Sequence, residues 1–111
     1  MHYILILVNL WRMKSMITKE KIVEVLKTVN DPEIGMDIHT LGLIYDITLK
    51  DDSVIIKMTF TSPMCPYGPA LLAEVKNKLL AAGVKEVAID LVFDPVWKPS
   101  HEVKLMLGIE D

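Results

Sequence analysis

The sequence predicts a small α+β domain, and three observations carry that prediction. Two segments alternate apolar and polar residues on either side of Asp51-Asp52, the pattern of an antiparallel hairpin. A helical run then leads into a third alternating segment, a strand–helix–strand passage that should set the third strand parallel to the second. Finally, 111 residues at 51% hydrophobic and 24% charged support one modest core and hardly two. The expected order is α-β-β-α-β-α, with a mixed three-stranded sheet covered by helices.

Taken in chain order, the opening "MHYILILVNLWRMKSM" stands apart from the rest. Its apolar run, Tyr3–Val8, is too short to cross a bilayer. Arg12 and Lys14 follow that run, where a secretory signal would place its charge first. Residues 1–16 are therefore read as an N-terminal extension, or else as an added edge strand, and residues 17–111 as the domain. The first helix is expected over 18–29, capped by Thr18, with Ile22, Val25, Leu26 and Val29 at helical spacing. Asn30, Asp31 and Pro32 end it, because a residue before proline is pushed out of the helical region.

The strands are expected over 41–50 and 53–61. Leu41, Leu43, Tyr45, Ile47 and Leu49 share one face of the first, and Val54, Ile56, Met58 and Phe60 one face of the second. Ile55, Lys57, Thr59 and Thr61 fall on the opposite, more polar face. The second helix is expected over 69–82, with Leu71, Leu72, Val75, Leu79 and Leu80 inward and Gly83 as its stop. Val87, Ile89, Leu91 and Phe93 point inward from a third strand over 86–94. The tail turns at Pro95 and Pro99, and Ser100 caps a last short helix that partly buries Val103, Leu105 and Met106.

Charge and cysteine content narrow the function. A net charge of −3 without a cluster of Lys and Arg argues against nucleic acid as the main partner. The single cysteine, Cys65, rules out an internal disulfide and a self-contained four-thiolate metal site. A lone free thiol fits a reducing compartment, and the expected location is cytoplasmic.

Cys65 sits in "TFTSPMCPYGPALLAEVKNKLLAAG", between an apolar strand and a helix, with Pro63, Pro66 and Pro69 around it. Free cysteines commonly serve as small buried hydrophobes. This one lies outside any apolar periodicity and just before a helix, whose unsatisfied N-terminal amides favour negative charge. Thr61 and Ser62 are the polar groups nearest it in sequence. Either could hydrogen-bond to a thiolate or to the turn's own backbone. The "NDPEIGMD" loop places Asp31, Glu33 and Asp37 together, a spacing that by itself reads first as an ordinary helix-ending turn with solvated acids and is unspecific as a general acid/base pair. Of the histidines, His39 and His101 read as surface residues. Trp97 reads as a packing plug for the last helix, with a binding role as the other use of such a ring.

"DPEIGMDIHTLGLIYDI", "TFTSPMCP" and "FDPVWKPS" followed by "LGI" occur in the order and spacing of a known family. Over roughly residues 18–109 the chain resembles the SufT/PaaD-like metal–sulfur cluster assembly factors, which carry an iron–sulfur assembly protein domain. The resemblance implies a fold akin to the C-terminal domain of NifU-type scaffolds. The family's marked positions fall on Asp31, Pro32 and Glu33, on Thr61, Ser62 and Cys65, and on Trp97. His39 departs from the pattern and receives no role.

The implied function is maturation of iron–sulfur proteins, not catalysis. Cys65 would act as a transient ligand to an iron–sulfur cluster, supported by a pocket of Asp31, Glu33, Thr61 and Ser62. The partners would be client apo-proteins and other assembly factors, with neither nucleic acid nor membrane involved. One thiolate cannot own a cluster that takes about four protein ligands. A homodimer, a client or a small thiol would have to complete the set. Two other readings compete: an accessory protein of a phenylacetyl-CoA oxygenase-type system, as in the PaaD branch, and a thiol enzyme built on Cys65. The antiparallel pairing of the first two strands should bring the Asp31–Glu33 loop to the same end of the sheet as Cys65.

Overall fold

The computed structural model describes residues 17–109; the extension read from the sequence over 1–16 lies outside the described residues. Helix α1 spans Lys19–Leu26. Thr18 caps it as expected, its Oγ1 accepting the Lys21 N–H at 3.2 Å. The helix closes one turn earlier than the apolar spacing predicts, yet Val29 remains buried in the turn that follows. Lys78 closes this end from outside, donating from Nζ to the Thr28 carbonyl at 2.8 Å.

Strands β1 (Ile44–Lys50) and β2 (Ser53–Met58) form the hairpin. Asp51 turns it with φ of 54°, a left-handed conformation that aspartate tolerates better than most side chains. The pairing runs antiparallel from Lys50↔Ser53 to Ile44↔Met58, with an irregularity between Ile44 and Asp46. Both strands are shorter than the alternation suggests. Leu41 and Leu43 are buried from the turn before β1, not from the strand.

Helix α2 (Gly68–Ala81) follows, and Gly83 ends it with φ of 108°, open to glycine at little steric cost. Strand β3 (Glu86–Leu91) pairs parallel with β2 from Ser53↔Glu86 to Met58↔Leu91, giving the sheet order β1-β2-β3. Helix α3 (His101–Leu107) closes the order, with Ser100 Oγ accepting the Val103 N–H at 3.1 Å.

The fold is the expected α+β arrangement of three helices and a mixed three-stranded sheet. One core joins Ile22 and Leu26 of α1, Val54, Ile56 and Met58 of β2, Leu71, Val75 and Leu79 of α2, and Val103 of α3. The helices therefore cover one face of the sheet only. On the other face Asp46, Ile55, Lys57, Ala88 and Asp90 are exposed. Lys57 stands between Asp46 and Asp90 in register, so opposite charges alternate across that bare face.

Five residues depart from the burial expected of them. Phe93, expected inward from the third strand, is 38% exposed, because β3 ends at Leu91 and Phe93 lies in the loop beyond it. Leu80 is exposed, because α2 meets the sheet along the stripe Leu71–Val75–Leu79 and Leu80 lies off that line. Leu105 and Met106 are exposed as well, since the seven-residue α3 inserts Val103 and leaves its far side uncovered. Thr59, expected on the polar face, is fully buried. Past the end of β2 its chain runs between two neighbours: the Thr59 N–H donates to Leu43 O, and Met58 O accepts from Val92 N–H, both at 2.9 Å.

Candidate functional site

Strand directions decide which loops meet. Because β1 and β2 are antiparallel, β1 begins where β2 leaves, and because β3 is parallel to β2, it leaves at the same end. Four bonds draw the adjoining segments together there. Two are the backbone bonds of Thr59 and Met58 just described. Trp97 Nε1–H donates to Leu41 O at 2.7 Å, and Tyr45 Oη donates to Pro95 O at 2.8 Å. The loops after α1, after β2 and after β3 thus share one end of the sheet. Trp97 is expected from the sequence to plug the last helix; the contacts it makes here are to the turn before β1, half-buried against the core beside Gly42.

The loop after α1 is braced by its own acids. Asp31 is 1% exposed, and its Oδ1 accepts the N–H groups of Glu33 at 2.8 Å and Ile34 at 3.1 Å. Its backbone is held at both ends, donating to Met36 O and accepting from Gly35 N–H. Asp37 does the same one turn later, Oδ2 accepting from Thr40 N–H at 2.9 Å. Asn30 and Asp37 bridge antiparallel, and Ile38 donates back to Val29 O. Turns of this kind arise because a short acidic side chain reaches amides two and three residues on. Glu33 makes no such bond among the described residues and is exposed.

The turn after β2 is built sparsely. Ser62 Oγ accepts the Met64 N–H at 3.2 Å, and Ser62 O accepts the Cys65 N–H at 3.2 Å. Cys65 O in turn accepts the Gly68 N–H at 3.2 Å. Ser62 therefore satisfies the turn's own backbone. The Cys65 side chain is half-buried, packed against the core on one side, and makes no hydrogen bond among the described residues. The mouth of α2 is also poorer in amides than the sequence implies. Gly68 spends its N–H on Cys65 O, Pro69 has none, and Tyr67 offers no side-chain cap.

A pair of aromatic rings fixes this turn to the body of the domain. Phe60 packs edge-on to Phe93, with ring centroids 6.1 Å apart and planes at 65°. A Cβ placed on Gly68 would stand 2.5 Å from Phe60 Cε2, so only glycine lets the helix mouth settle this closely on the ring. From the sequence, Phe60 has only a place on the inward strand face and Gly68 no role, although a glycine directly after Cys-Pro-Tyr at a helix start is a visible signal of close approach.

Thr61, Ser62 and Cys65 thus occupy one turn, while Asp31 and Glu33 belong to a neighbouring loop at the same end of the sheet. No hydrogen bond joins either carboxyl group to the 61–65 turn among the described residues, and no three of His, Cys, Asp and Glu converge as a metal site among them.

The family model for "iron-sulfur cluster assembly protein" matches residues 19–91, which contain both loops and the hairpin between them. The chain belongs to that family. It is 43% identical over 96 residues to an Fe-S protein maturation auxiliary factor of Porphyromonas gingivalis, covering 82% of this chain and 91% of that protein. It is 41% identical over 97 residues to the Fe-S protein maturation auxiliary factor YitW of Bacillus subtilis, covering 83% and 95%. A conserved hypothetical protein from Thermotoga maritima has the same fold in its solved structure. There the TM-score is 0.75 and the identity 38%, over 86% of this chain and 98% of that one. The family member described here is thus SufT-like, spans nearly the full length of these relatives, and shares the α+β fold of the Thermotoga structure.

Proposed function

We propose that this protein matures iron–sulfur proteins by holding cluster iron briefly through Cys65 and passing the cargo to client apo-proteins. The observation that carries this reading is the Cys65 side chain itself. It is half-exposed, without a hydrogen-bond partner among the described residues, and fixed in place by the Phe60–Gly68 contact. A thiolate in that setting can take iron without first breaking a bond of its own. It supplies one of the roughly four ligands a cluster requires, so the cargo is held only while a second protein, a second copy or a small thiol supplies the rest. Reversible holding is what a carrier needs. The names of the curated relatives support the role in maturation.

In this reading Thr61 and Ser62 shape the thiol's turn, and Asp31 with Glu33 forms the adjoining wall. Other assembly factors would load the chain in the reducing cytoplasm, where its thiol stays free.

The test is anaerobic reconstitution with iron and sulfide, followed by transfer to an apo-ferredoxin monitored by its visible absorption. The wild-type chain should accelerate delivery, and Cys65→Ala should lose that acceleration while remaining folded. Full acceleration by Cys65→Ala would reject the ligand role.

A further inference from the structure

The end of the sheet that carries Cys65 also carries exposed apolar side chains. Met64 is 86% exposed and Tyr67 50%, flanking the thiol in the same turn. Phe93, 38% exposed, lies against Phe60, the ring on which Gly68 rests, so its outer edge adjoins the turn. Val96 is 69% exposed, between Pro95 and Trp97, whose bonds to Tyr45 and Leu41 hold it at this end. Charge is missing from the turn as well. Between Lys57 and Glu74 the chain has no Asp, Glu, Lys, Arg or His, the longest such gap within residues 17–111. Asp94 and Lys98, both exposed, stand beside Phe93 and Val96 in the loop after β3.

We propose that Met64, Tyr67, Phe93 and Val96 form the docking surface for a client: an uncharged, apolar segment of an apo iron–sulfur protein, next to that protein's own cysteine ligands. The proposal rests on the carrier reading above and names the partner chemistry it requires. Three arguments select this occupant. An uncharged apolar centre beside charged residues has the composition of a protein interface, in which methionine and aromatic residues are enriched and charges depleted. A charged segment would lose its hydration here and find no opposite charge in the turn. Size then separates a client from a permanent second copy. Four side chains of this exposure amount to a few hundred Å², the scale of apolar patches that mark interaction sites. A stable interface buries about 800 Å² on each partner. A patch this small suits an encounter that must end once the cargo has moved.

The surface is also pre-formed, because the Phe60–Gly68 and Phe60–Phe93 contacts hold the turn in place before any partner arrives. Little ordering of the turn is then left for the moment of binding.

The experiment titrates isotope-labelled full-length chain with unlabelled apo-ferredoxin and follows backbone amide shifts, beside the transfer assay described above. Shifts should concentrate at residues 62–68 and 93–97. The double variant Met64→Glu with Val96→Glu should bind about tenfold more weakly or worse, the scale of losing anchor residues at an interface centre. Its thermal unfolding should stay at the wild-type temperature, because both side chains are exposed. Cys65→Ala should still dock while failing to deliver cluster. Undiminished binding by the charged double variant would overturn the proposal, as would shifts centred on the bare sheet face or on α3, or no binding by the wild-type chain. Concentration-dependent dimerisation that the double variant abolishes would assign the surface to a second copy and overturn the client. The two readings fail separately. Transfer that depends on Cys65 but not on Met64 and Val96 removes only the docking surface. Docking that depends on Met64 and Val96, with transfer indifferent to Cys65→Ala, removes only the ligand role.

Discussion

The loop of residues 30–43 and the turn of residues 61–67 lie at the same end of the sheet and are built in opposite ways. The first is closed on itself: Asp31 is buried and accepts two amides, Asp37 accepts a third, and Asn30 bridges back to Asp37. The second has few internal bonds, a thiol with no hydrogen-bond partner among the described residues, and a methionine that is almost wholly exposed. It is held from beneath, by Phe60 against Gly68. The difference teaches that an acid at the same end of the sheet as a candidate metal-binding thiol can be wholly engaged by its own loop. Here the buried Asp31 organises its own loop, while the turn leaves Met64 and Tyr67 exposed.

The comparison is broken most directly at Asp31. Asp31→Ala removes the acceptor for two amides and should lower unfolding stability by about 2–4 kcal/mol, whereas Glu33→Ala at the solvent-facing position should change it by about 0.5 kcal/mol or less. Equilibrium denaturation of the pair checks this, and a loss under about 1 kcal/mol at Asp31 would mean the loop is not braced by it.

Gly68→Ala comes next, because its new methyl group meets the Phe60 ring. Overpacking at such a contact should cost about 1–3 kcal/mol. In a double-mutant cycle, Phe60→Leu should relieve part of that loss, and strict additivity would show that the two residues do not press on one another.

Trp97→Phe keeps an aromatic ring, though a smaller one, and deletes the indole N–H that reaches Leu41 O, so it should cost about 1–2 kcal/mol, read from the shift in denaturation midpoint. The smallest effect on stability belongs to Cys65→Ala. Its half-exposed thiol makes no hydrogen bond to lose, and the change should stay under about 1 kcal/mol while delivery of cluster to apo-ferredoxin falls to background. A large loss of stability at Cys65 would erase the contrast and return the cysteine to a packing role.

Much of the fold was legible because its causes are local. Thr18 and Ser100 cap the helices they precede, and the alternation of Val54, Ile56 and Met58 places all three in the core. Burial was misjudged where the deciding neighbour is distant in sequence. Thr59 donates its N–H to Leu43 O while Met58 beside it accepts from Val92, contacts that no periodicity around Thr59 records. Leu105 and Met106 carry an apolar signal, but a seven-residue helix presents a narrow face and only Val103 of its central residues is buried. For the candidate site, the three segments could be named from their residues, and the antiparallel hairpin correctly implied that they share one end. The bonds made there could not be anticipated, since Asp31 had amides of its own loop within reach.

By itself, then, the sequence determined the order of elements, the mixed sheet, the caps and the presence of one thiol in a proline-rich turn, all of which follow from steric and polar preferences over a few residues. Only the tertiary structure decided that Asp31 turns inward, that Trp97 reaches Leu41, and that Gly68 must be bare for Phe60 to support the cysteine turn. The last two contacts join side chains to segments whose approach depends on how the sheet and α2 pack. The first depended on which amides the folded loop placed within reach of one carboxyl group.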